Sequence, residues 1–409
     1  MNRTLIWQLA WRYLRGKRSA NAVTILSRIS MVAVGVSAAA LIIIFSVCNG
    51  LISLVKDQYK AFYPDVRISV ARGKFFPVDT TKLAILKKIK GIEGITTVIE
   101  DNVLAVDNDQ QKVITVKGID NNYLLVNDLD QYINRGSDTL TEDKTISAIS
   151  GRRIMDELGA DIASASYITL NYPDPTVKDP TTNPLGAYGT LKVSPVGSFH
   201  ISDDFDNKYL LAPLASMQAL FHQQGNCSSI EIKTDPGYAA DVQKQAQQLF
   251  GSRYKAETRY EQNKTIYVVL STEKWAIYGI LVLVLLIAAF NMVGALAMLV
   301  LEKQKDIGIL KAMGVDAPTI RMIFLAEGVL WSLVGGVAGI LLGTGLCLLQ
   351  QKYGFIKMGS SFVIDAYPVE LQAPDILLDL LTIISVGLLA SWYPSVRATR
   401  ATDLSLKST

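Results

Sequence analysis

Hydrophobic and polar positions divide the chain into four long apolar blocks, separated by polar stretches of very different lengths. The apolar blocks cover residues 29–55, 275–301, 320–349 and 376–393. A helix of about 17 to 25 apolar residues crosses the hydrocarbon core of a bilayer, and every block reaches that length. The pattern therefore predicts four transmembrane helices, and an even number of spans places both ends of the chain on one side of the membrane.

The polar stretch between the first two blocks, residues 56–274, has the composition of a soluble domain. Strands are predicted from β-branched and apolar runs at 66–70, 113–116, 167–170 and 191–199. Helices are predicted at 80–90, where apolar residues recur with the helical period, and at 151–158 and 241–250. Strands and helices mix without a regular βαβ order, so we predict an α+β domain with two subdomains. The predicted fold class is a membrane protein with four transmembrane α-helices and a large α+β extracytoplasmic domain inserted between helices 1 and 2.

Basic residues in the short polar segments predict the orientation in the membrane. The first 28 residues carry six Arg and Lys and no acidic residue, and residues 302–321 and 394–409 are also rich in Lys and Arg. Short loops with an excess of Lys and Arg stay in the cytoplasm. We therefore expect cytoplasmic N and C termini, with residues 56–274 on the outer side, which is the periplasm in a host with two membranes.

These predictions combine into one map of the chain. The first segment is expected to be an amphipathic helix at the membrane surface, since Leu and Trp residues recur in it between basic residues. In order, we expect a cytoplasmic amphipathic helix (1–28), transmembrane helix 1 (29–55), the α+β domain (56–274), transmembrane helix 2 (275–301), a cytoplasmic coupling segment (302–319), transmembrane helix 3 (320–349), a periplasmic loop (350–375), transmembrane helix 4 (376–393) and a cytoplasmic tail (394–409).

The coupling segment is short but strongly patterned. Its first 14 residues, EKQKDIGILKAMGV, place Ile, Leu and Met among Lys, Glu and Asp. This spacing predicts a short amphipathic helix beside the membrane, ended by Gly314 at the helix C-terminus. The alternative is an ordinary polar turn between two spans, which needs only a few polar residues and no helix.

Residues 171–187, NYPDPTVKDPTTNPLGA, form the most distinctive stretch of the soluble domain. The four prolines Pro173, Pro175, Pro180 and Pro184 exclude a helix and a central strand, so the stretch predicts a long exposed loop between two strands. Loops of this length in compact domains are usually functional or disordered. A surface loop without a specific function is the alternative.

Small and polar residues inside the apolar blocks predict helix contacts. Gly335, Gly339 and Gly343 recur every four residues, the spacing at which helix backbones approach closely. Asn49 either hydrogen-bonds another helix or lies at headgroup depth without a special contact, and we favour the second. Glu327 is expected near the membrane interface rather than in a buried position. Asn291 is expected to face another helix, and Trp392-Tyr393-Pro394 is expected to end the last span.

Composition excludes several classes of function. The net charge of +3 is too small to indicate a nucleic-acid partner, and Cys227 is the one cysteine outside the apolar blocks, so the soluble domain has no internal disulfide. The sequence contains no G-x-x-x-x-G-K-[ST] and only two histidines, without metal-ligand spacing. We therefore expect no catalytic residue, no metal and no cofactor on this chain, and an energy source on a partner.

The motif E-K-x-x-D-I-G-I-L-K-A-M-G at residues 302–314 resembles the coupling segment of FtsX/MacB-type ABC transporter permeases, above all the lipoprotein-releasing (LolC/LolE-type) permeases. The resemblance continues through P-D-V-R-I at 64–68, I-S-G-R-R-I-M-D-E-L-G at 149–159 and L-L-A-P-L-A-S-M-Q-A-L-F at 210–221. It covers almost the whole chain. The chain departs from the family at Cys48, where the family usually has Met, and at Leu404, where the family's tail has proline.

This resemblance implies functional residues. In the family the coupling segment sits on the partner ATPase, which implies a coupling role for Glu302, Lys303, Asp306, Gly308, Lys311 and Gly314. The proline-rich loop, with its N-P-L-G, resembles the loop that captures the lipoprotein carrier, which implies docking by Pro173, Pro175, Pro180, Pro184 and Leu185. Lipid-modified substrate is expected to enter between the first spans of two permease protomers. Apolar residues of the first and second spans are expected to line the acyl-chain cavity, and those chosen by their position on these helices are Val36, Ile43, Val47, Ile280 and Val284.

The resemblance implies a permease subunit of an ABC transporter in the inner membrane that extracts lipoproteins and hands them to a periplasmic carrier. The expected partners are an ABC ATPase dimer carrying ATP and Mg²⁺, a second permease protomer that is identical or related, the lipoprotein, the carrier and membrane lipid. Two alternatives stay open. One is an FtsX-like transmembrane regulator of a cell-wall hydrolase, against which the proline-rich loop and the large outer domain argue. The other is a MacB-like efflux permease, which a trans-envelope adaptor would favour.

Overall fold

A computed structural model describes residues 22–142, 145–162, 166–174, 188–358 and 366–405. The described chain forms two compact units. The helical unit takes in the described residues of Met1–Ser53, Val269–Lys357 and Ala366–Thr409, and the soluble unit those of Leu54–Val268 and Met358–Asp365. The expected amphipathic helix at residues 1–28 lies outside the described residues up to residue 21.

Long helices form the helical unit, and short helices flank the sheet of the soluble unit. In chain order they are α1 (Ala22–Lys60), α2 (Thr80–Leu86), α3 (Tyr123–Val126), α4 (Arg152–Leu158), α5 (Asp203–Asp206), α6 (Leu214–Leu220), α7 (Ala239–Phe250), α8 (Arg259–Gln262), α9 (Lys264–Glu302), α10 (Gln304–Ala312), α11 (Ala317–Tyr353) and α12 (Ala373–Ser405), with a 3₁₀ turn at Asp130–Tyr132.

Strands belong to the soluble unit. In chain order they are β1 (Val66–Val70), β2 (Phe76–Pro77), β3 (Ile92–Asp107), β4 (Gln110–Ile119), β5 (Ile133–Gly136), β6 (Ile146–Gly151), β7 (Ile168–Pro173), β8 (Tyr188–Phe199), β9 (Tyr209–Pro213), β10 (Asn226–Cys227), β11 (Ser229–Thr234) and β12 (Tyr254–Thr258).

Within the described residues, four helices are long and apolar enough to cross a membrane: α1, α9, α11 and α12. These helices extend beyond the apolar blocks, since helical geometry continues into the flanking polar residues. Helix α12 also continues through Pro394 to Ser405, so the helix itself extends past the proline at which the last span is expected to end. Proline removes one backbone hydrogen bond from a helix, which bends or weakens it without necessarily ending it.

Glycines bring α1 and α11 into close contact. A Cβ added at Gly335, Gly339 or Gly343 would meet backbone atoms of Met31, Gly35 and Ala39, respectively. A glycine of α11 therefore faces the backbone of α1 at every fourth residue. Spacing of this kind lets two transmembrane helices approach closely. On the other side of α11, Gly328 and Gly336 lie against Ser391 and Ile383 of α12.

A ten-stranded sheet organises the soluble unit. Its strand order is β12-β1-β11-β3-β4-β9-β6-β8-β5, and β7 pairs with both β3 and β8. The strands β3, β4, β9, β6, β8 and β7 therefore form a closed circuit of neighbours, and β11, β1 and β12 extend the sheet from β3. The two expected subdomains are thus two parts of one sheet, joined through the long strand β3.

Each part of this sheet has its own apolar core. The closed circuit surrounds buried residues of its strands, including Val103, Val116 and Leu170, with α4 and α6 contributing Ile154 and Met217. The extension buries a separate cluster in which residues of β1 and β11 meet the apolar face of α7. Apolar burial at alternate strand positions thus fixes which face of each strand points inward.

The predicted elements of the soluble domain are largely confirmed, with shifts at their ends. The strand predicted at 66–70 is β1, and the predicted helix at 80–90 ends at Leu86 as α2. Beyond Leu86 the chain continues in tighter turns, in which the N–H of Ile89 donates a hydrogen bond to the Leu86 carbonyl. Gly91 then takes a positive φ of 89°. A left-handed glycine ends the helical stretch, as at many helix C-termini.

The expected loop at 171–187 begins later than predicted. Strand β7 continues through Asn171 and Tyr172 to Pro173, which pairs with Tyr188 at the start of β8. Proline is tolerated there because it occupies the strand end, where a missing N–H interrupts no central ladder. Residues 175–187, with Pro175, Pro180, Pro184 and Leu185, lie outside the described residues.

Candidate functional site

The coupling segment contains a helix, α10, with a well-formed C-terminus. Gly314 has a positive φ of 84° and donates its N–H to the Lys311 carbonyl, while Val315 N–H donates to the Leu310 carbonyl. These two bonds form the Schellman arrangement that a glycine in the left-handed region makes possible. The amphipathic helix expected from the sequence is therefore present, and its end lies at the expected glycine.

Some apolar side chains of the coupling segment pack into the helical unit, and others are exposed. Ile307 is buried and belongs to the core cluster formed by the membrane helices. Ile309 and Met313 are 60% and 70% exposed in this chain. A helix that is anchored by one apolar residue and presents two others outward has an apolar face available for a partner.

Charged residues at the start of the coupling segment are already ordered. The ammonium of Lys303 donates to the Asp306 carboxylate at 2.9 Å, and the Lys303 side chain is mostly buried. Gly308 lies inside α10 with open space around it. Glu302, Lys303 and Lys311 also take part in further interactions of the described chain. The six expected coupling residues thus lie on α10 and at its two ends.

Glu327, expected near the membrane interface rather than in a buried position, is buried. Its side chain is only 1% exposed, within α11. The oxygen Oε2 accepts no hydrogen bond from the described residues. The sequence did not predict this burial. Glu327 stands near the start of an apolar block, where a side chain can be either solvated or buried.

Residues expected to line the acyl-chain cavity differ in exposure. Val36, Ile280 and Val284 are exposed on the surface of the helical unit, at 45% or more. Ile43 and Val47 are half-buried. The three exposed side chains face outward from the bundle of this chain, as lipid-contacting or partner-contacting residues do.

Asn291, expected to face another helix, lies on the exposed surface of α9 in the described chain. It is exposed on α9, next to Phe290, which is 73% exposed. An exposed amide inside an apolar surface is well placed to hydrogen-bond a polar group of another helix.

A polar cluster joins three membrane helices and was missed by the sequence analysis. Asn49 of α1 donates to the Asp375 carboxylate of α12 at 2.6 Å, and Lys274 of α9 lies 3.0 Å from the same carboxylate. Lys274 also donates to the Asn49 side-chain oxygen at 2.8 Å. The expectation that Asn49 makes no special contact is therefore wrong. Its partners are distant in sequence, so no local pattern reveals the contact.

The core of the soluble unit contains a buried charge network. Lys117 of β4, 4% exposed, donates to Glu231 at 3.2 Å and to the Tyr123 hydroxyl at 3.2 Å, while Arg67 donates to Glu100 at 2.8 Å. Burial alone would lower the pKa of Lys117, but the combined attraction of Glu231, Tyr123 and Glu100 outweighs burial and raises that pKa above its ordinary value. Paired and hydrogen-bonded in this way, these charges tolerate burial.

Glu100 lies beside this network, and its pKa is lowered whereas that of Lys117 is raised. Burial would raise the pKa of Glu100, but Arg67 and Lys117 outweigh burial and hold that pKa below its ordinary value. Glu100 is therefore ionised at neutral pH and accepts hydrogen bonds as a carboxylate. No sequence motif marked this network, because its members come from separate strands.

Two family models match the chain. The model described as the MacB-like periplasmic core domain matches residues 27–249, and the model described as the FtsX-like permease C-terminal matches residues 278–402. The first match begins in the first apolar helix and covers most of the soluble unit. The second covers the last three membrane helices and the coupling segment between them.

Two relatives named for lipoprotein release match over nearly their whole length. The lipoprotein-releasing system transmembrane protein LolE of Haemophilus influenzae is 26% identical, over 96% of both chains. The lipoprotein-releasing system transmembrane protein LolC of Xylella fastidiosa is 23% identical, over 95% of both chains. The macrolide export ATP-binding/permease protein MacB of Acinetobacter baylyi is 21% identical over 86% of this chain, which spans 53% of that protein.

Proposed function

This chain belongs to the FtsX/MacB superfamily of permeases, with its MacB-like periplasmic core domain and FtsX-like C-terminal part, and on this premise we propose that it is the transmembrane permease subunit of a lipoprotein-releasing ABC transporter. Its relatives named for lipoprotein release match from end to end. The permease spans the inner membrane several times and does not itself hydrolyse ATP.

The observation that carries this proposal is the coupling segment between α9 and α11. It holds an ordered helix whose anchor, Ile307, packs into the membrane helices, while Ile309 and Met313 face outward. A partner ATPase dimer, with ATP and Mg²⁺, binds this face and supplies the energy. The anchor then transmits displacement of α10 to the membrane helices, because packed interiors move as units rather than deforming smoothly.

The orientation follows from the basic residues of the short segments. With the coupling segment, N terminus and C terminus in the cytoplasm, the soluble unit lies in the periplasm. The acyl chains of a lipoprotein enter from the lipid phase against exposed apolar residues of α1 and α9, such as Val36 and Ile280. A second permease protomer, identical or related, encloses them from the other side.

Handover takes place at the soluble unit. A soluble carrier in the periplasm docks on the proline-rich loop between β7 and β8, with Pro173 at its described beginning. Prolines preset the backbone of an extended segment, so binding such a loop costs less conformational entropy. The carrier accepts the acyl chains as the transporter moves the lipoprotein out of the membrane.

Depletion of this chain in its host, followed by separation of inner and outer membranes, tests the function. We expect outer-membrane lipoproteins to accumulate in the inner membrane. Unchanged lipoprotein sorting with a defect in cell-wall hydrolysis would replace this function by that of a regulator. Unchanged sorting with greater sensitivity to exported drugs would replace it by efflux.

Binding of the ATPase is tested by replacing both Ile309 and Met313 with Ser in the full chain. Residues at the centre of an interface often contribute a factor of about ten or more in affinity, so we expect at least that loss in ATPase binding. Leu125→Ser is the matched control, because Leu125 is 70% exposed on the soluble unit. Unchanged ATPase binding in the double variant would contradict this docking face.

A further inference from the structure

The polar cluster of Asn49, Lys274 and Asp375 joins three helices of the helical unit. The Lys274 ammonium of α9 donates to both carboxylate oxygens of Asp375 on α12, each at 3.0 Å. It also donates to the Asn49 side-chain oxygen of α1 at 2.8 Å. The Asn49 amide donates in turn to Asp375 at 2.6 Å, so each of the three side chains contacts both others.

This cluster is largely shielded from solvent. The Lys274 and Asp375 side chains are 20% and 13% exposed, and Asn49 is buried. The Phe45 ring of α1 covers the ammonium, with 5.1 Å between the nitrogen and the ring centre. Salt screens such a pair weakly, and a buried charge that loses its partner is strongly unfavourable. The cluster therefore holds the three helices more firmly than an exposed ion pair would.

A second layer of contacts joins the same three helices. Phe45 precedes Asn49 by four residues on α1, and Tyr278 follows Lys274 by four residues on α9, so each pair lies on one helix face. The Phe45 and Tyr278 rings lie 5.5 Å apart. The hydroxyls of Tyr278 and Thr382 of α12 share a hydrogen bond of 2.7 Å. The helices α1, α9 and α12 are thus joined at two successive levels.

The segment that leads into α12 also packs on α1. The N–H of Glu370 donates to the Ser46 carbonyl at 2.8 Å, and the Asn49 amide lies 3.4 Å from the Glu370 carbonyl oxygen. A Cβ added to Gly50 would lie 2.4 Å from the Pro368 carbonyl oxygen, so the two backbones are in close contact. The start of α12 is therefore held on α1, and Lys274 is the residue that brings α9 to this junction.

We propose that Asn49, Lys274 and Asp375 form a clamp that fixes the periplasmic end of α9 relative to α1, at the entrance for acyl chains. This proposal rests on the proposed function, in which acyl chains pack against exposed residues of these two helices such as Val36 and Ile280. The clamp sets the spacing of the two apolar faces before a substrate arrives, which lowers the cost of binding. Lys274 is a positioning residue, because it acts through the helices that it joins.

The first test measures the position of α9 without lipoprotein. Spin labels are placed at Val36→Cys and Ile280→Cys in the full chain in nanodiscs, with the three native cysteines replaced by Ser. The test variant combines Lys274→Met with Asp375→Asn, which releases α9 and leaves neither charge unpaired. We expect the distribution of distances between the labels to become roughly twice as wide, because α9 loses its polar attachment at this end.

Two further variants control this measurement. Lys352→Met should leave the distribution unchanged, since Lys352 is an exposed lysine in the last turn of α11. Lys274→Arg should keep the distribution narrow, because a guanidinium also pairs with a carboxylate. An equally narrow distribution in the double variant and in the wild type would overturn the clamp.

The second test measures entry of lipoprotein. Proteoliposomes contain the full chain with its partner ATPase, and their lipoprotein content is varied. The double variant should need about fivefold more lipoprotein for half-maximal release, with the maximal rate of release and the ATPase rate within about twofold of wild type. Lys274→Arg should restore half-maximal release at the wild-type lipoprotein content.

A merely structural role predicts another pattern. A lower maximal rate of release and a lower unfolding temperature, with half-maximal release at the wild-type lipoprotein content, would overturn the role of the clamp at the entrance. If the wild-type complex hydrolyses ATP without releasing lipoprotein, the proposed function fails, and the distance measurement still decides whether the clamp holds α9.

Discussion

Charged residues in the core of the soluble unit are paired with one another, so the loss of one residue exposes its partners to an uncompensated charge. Lys117 is surrounded by the Glu231 carboxylate, the Tyr123 hydroxyl and the Phe62 carbonyl, and the amide of Asn127 donates to the other oxygen of Glu231 at 2.8 Å. Removing one member of such a network leaves its partner charged and without compensation in the core. The loss is then larger than the net contribution of the intact pair.

Replacing Lys117 with Met should therefore destabilise the soluble unit by about 3 to 5 kcal/mol, the range for breaking a buried ion pair. Hydrogen exchange of β3 and β4 amides in the full chain measures this, since exchange from core strands reports global opening. Lys255→Met is the control, because Lys255 is well exposed and its ion pair with Glu257 contributes at most about 1 kcal/mol. Equal protection in both variants would contradict the account.

Glu100 should make the soluble unit sensitive to acid. Its pKa in the folded chain is below the ordinary value, so its contribution to stability is complete above about pH 4.3, the pKa of an unfolded glutamate. That contribution is lost as the pH falls through the lower folded pKa. The difference in β3 amide protection between wild type and Glu100→Gln should therefore shrink as the pH falls below about 4. A difference that stays constant from neutral pH down to about pH 3 would rule out this role.

At the scale of elements, the coupling helix depends on two glycines with opposite requirements. Gly308 lies in the helix interior, with open space where a Cβ would stand, whereas Gly314 has a positive φ of 84° that L-residues rarely adopt. Glycine inside a helix lowers its stability, and glycine just beyond its end supports it.

Gly308→Ala should stabilise α10 by about 1 kcal/mol, and Gly314→Ala should destabilise it by about 1 to 2 kcal/mol. The two variants serve as controls for each other, since both add a single methyl group to the same segment. Hydrogen exchange of the α10 amides measures the difference. Protection that changes in the same direction in both variants would contradict the assigned helix end.

The seam between α1 and α11 requires glycine at Gly339. A Cβ there would meet the Gly35 carbonyl oxygen, whereas a Cβ at Gly345 would meet open space. We expect Gly339→Ala to destabilise the helical unit by about 1 to 3 kcal/mol, the usual cost of overpacking. Gly345→Ala should have no such effect. Unfolding in detergent, followed by tryptophan fluorescence, distinguishes them, and equal midpoints would contradict the close contact.

At the scale of the whole molecule, local patterns predicted the elements better than their contacts. Apolar runs predicted the four membrane helices, and the spacing of apolar and charged residues predicted α10 together with its glycine end. The end of α12 was not predictable from its proline. A proline removes one helical hydrogen bond, but packing against other helices decides whether the helix continues past it.

Contacts between residues that are distant in the chain could not be predicted from the sequence. Asn49 and Asp375 are 326 positions apart, and nothing near either residue indicates that they meet. The burial of Glu327 has the same origin, since it results from packing of α11 rather than from its neighbours in sequence. The coupling helix and its glycine end could therefore be predicted from local sequence, whereas the charges that join the membrane helices required the structure.

Lipoprotein release from proteoliposomes tests the central claim most directly. The vesicles contain this chain, its partner ATPase and an acylated lipoprotein, and the soluble carrier is added outside. We predict that lipoprotein leaves the vesicles with the carrier only when ATP is hydrolysed. An intact complex that hydrolyses ATP while all lipoprotein stays in the vesicles would contradict this claim.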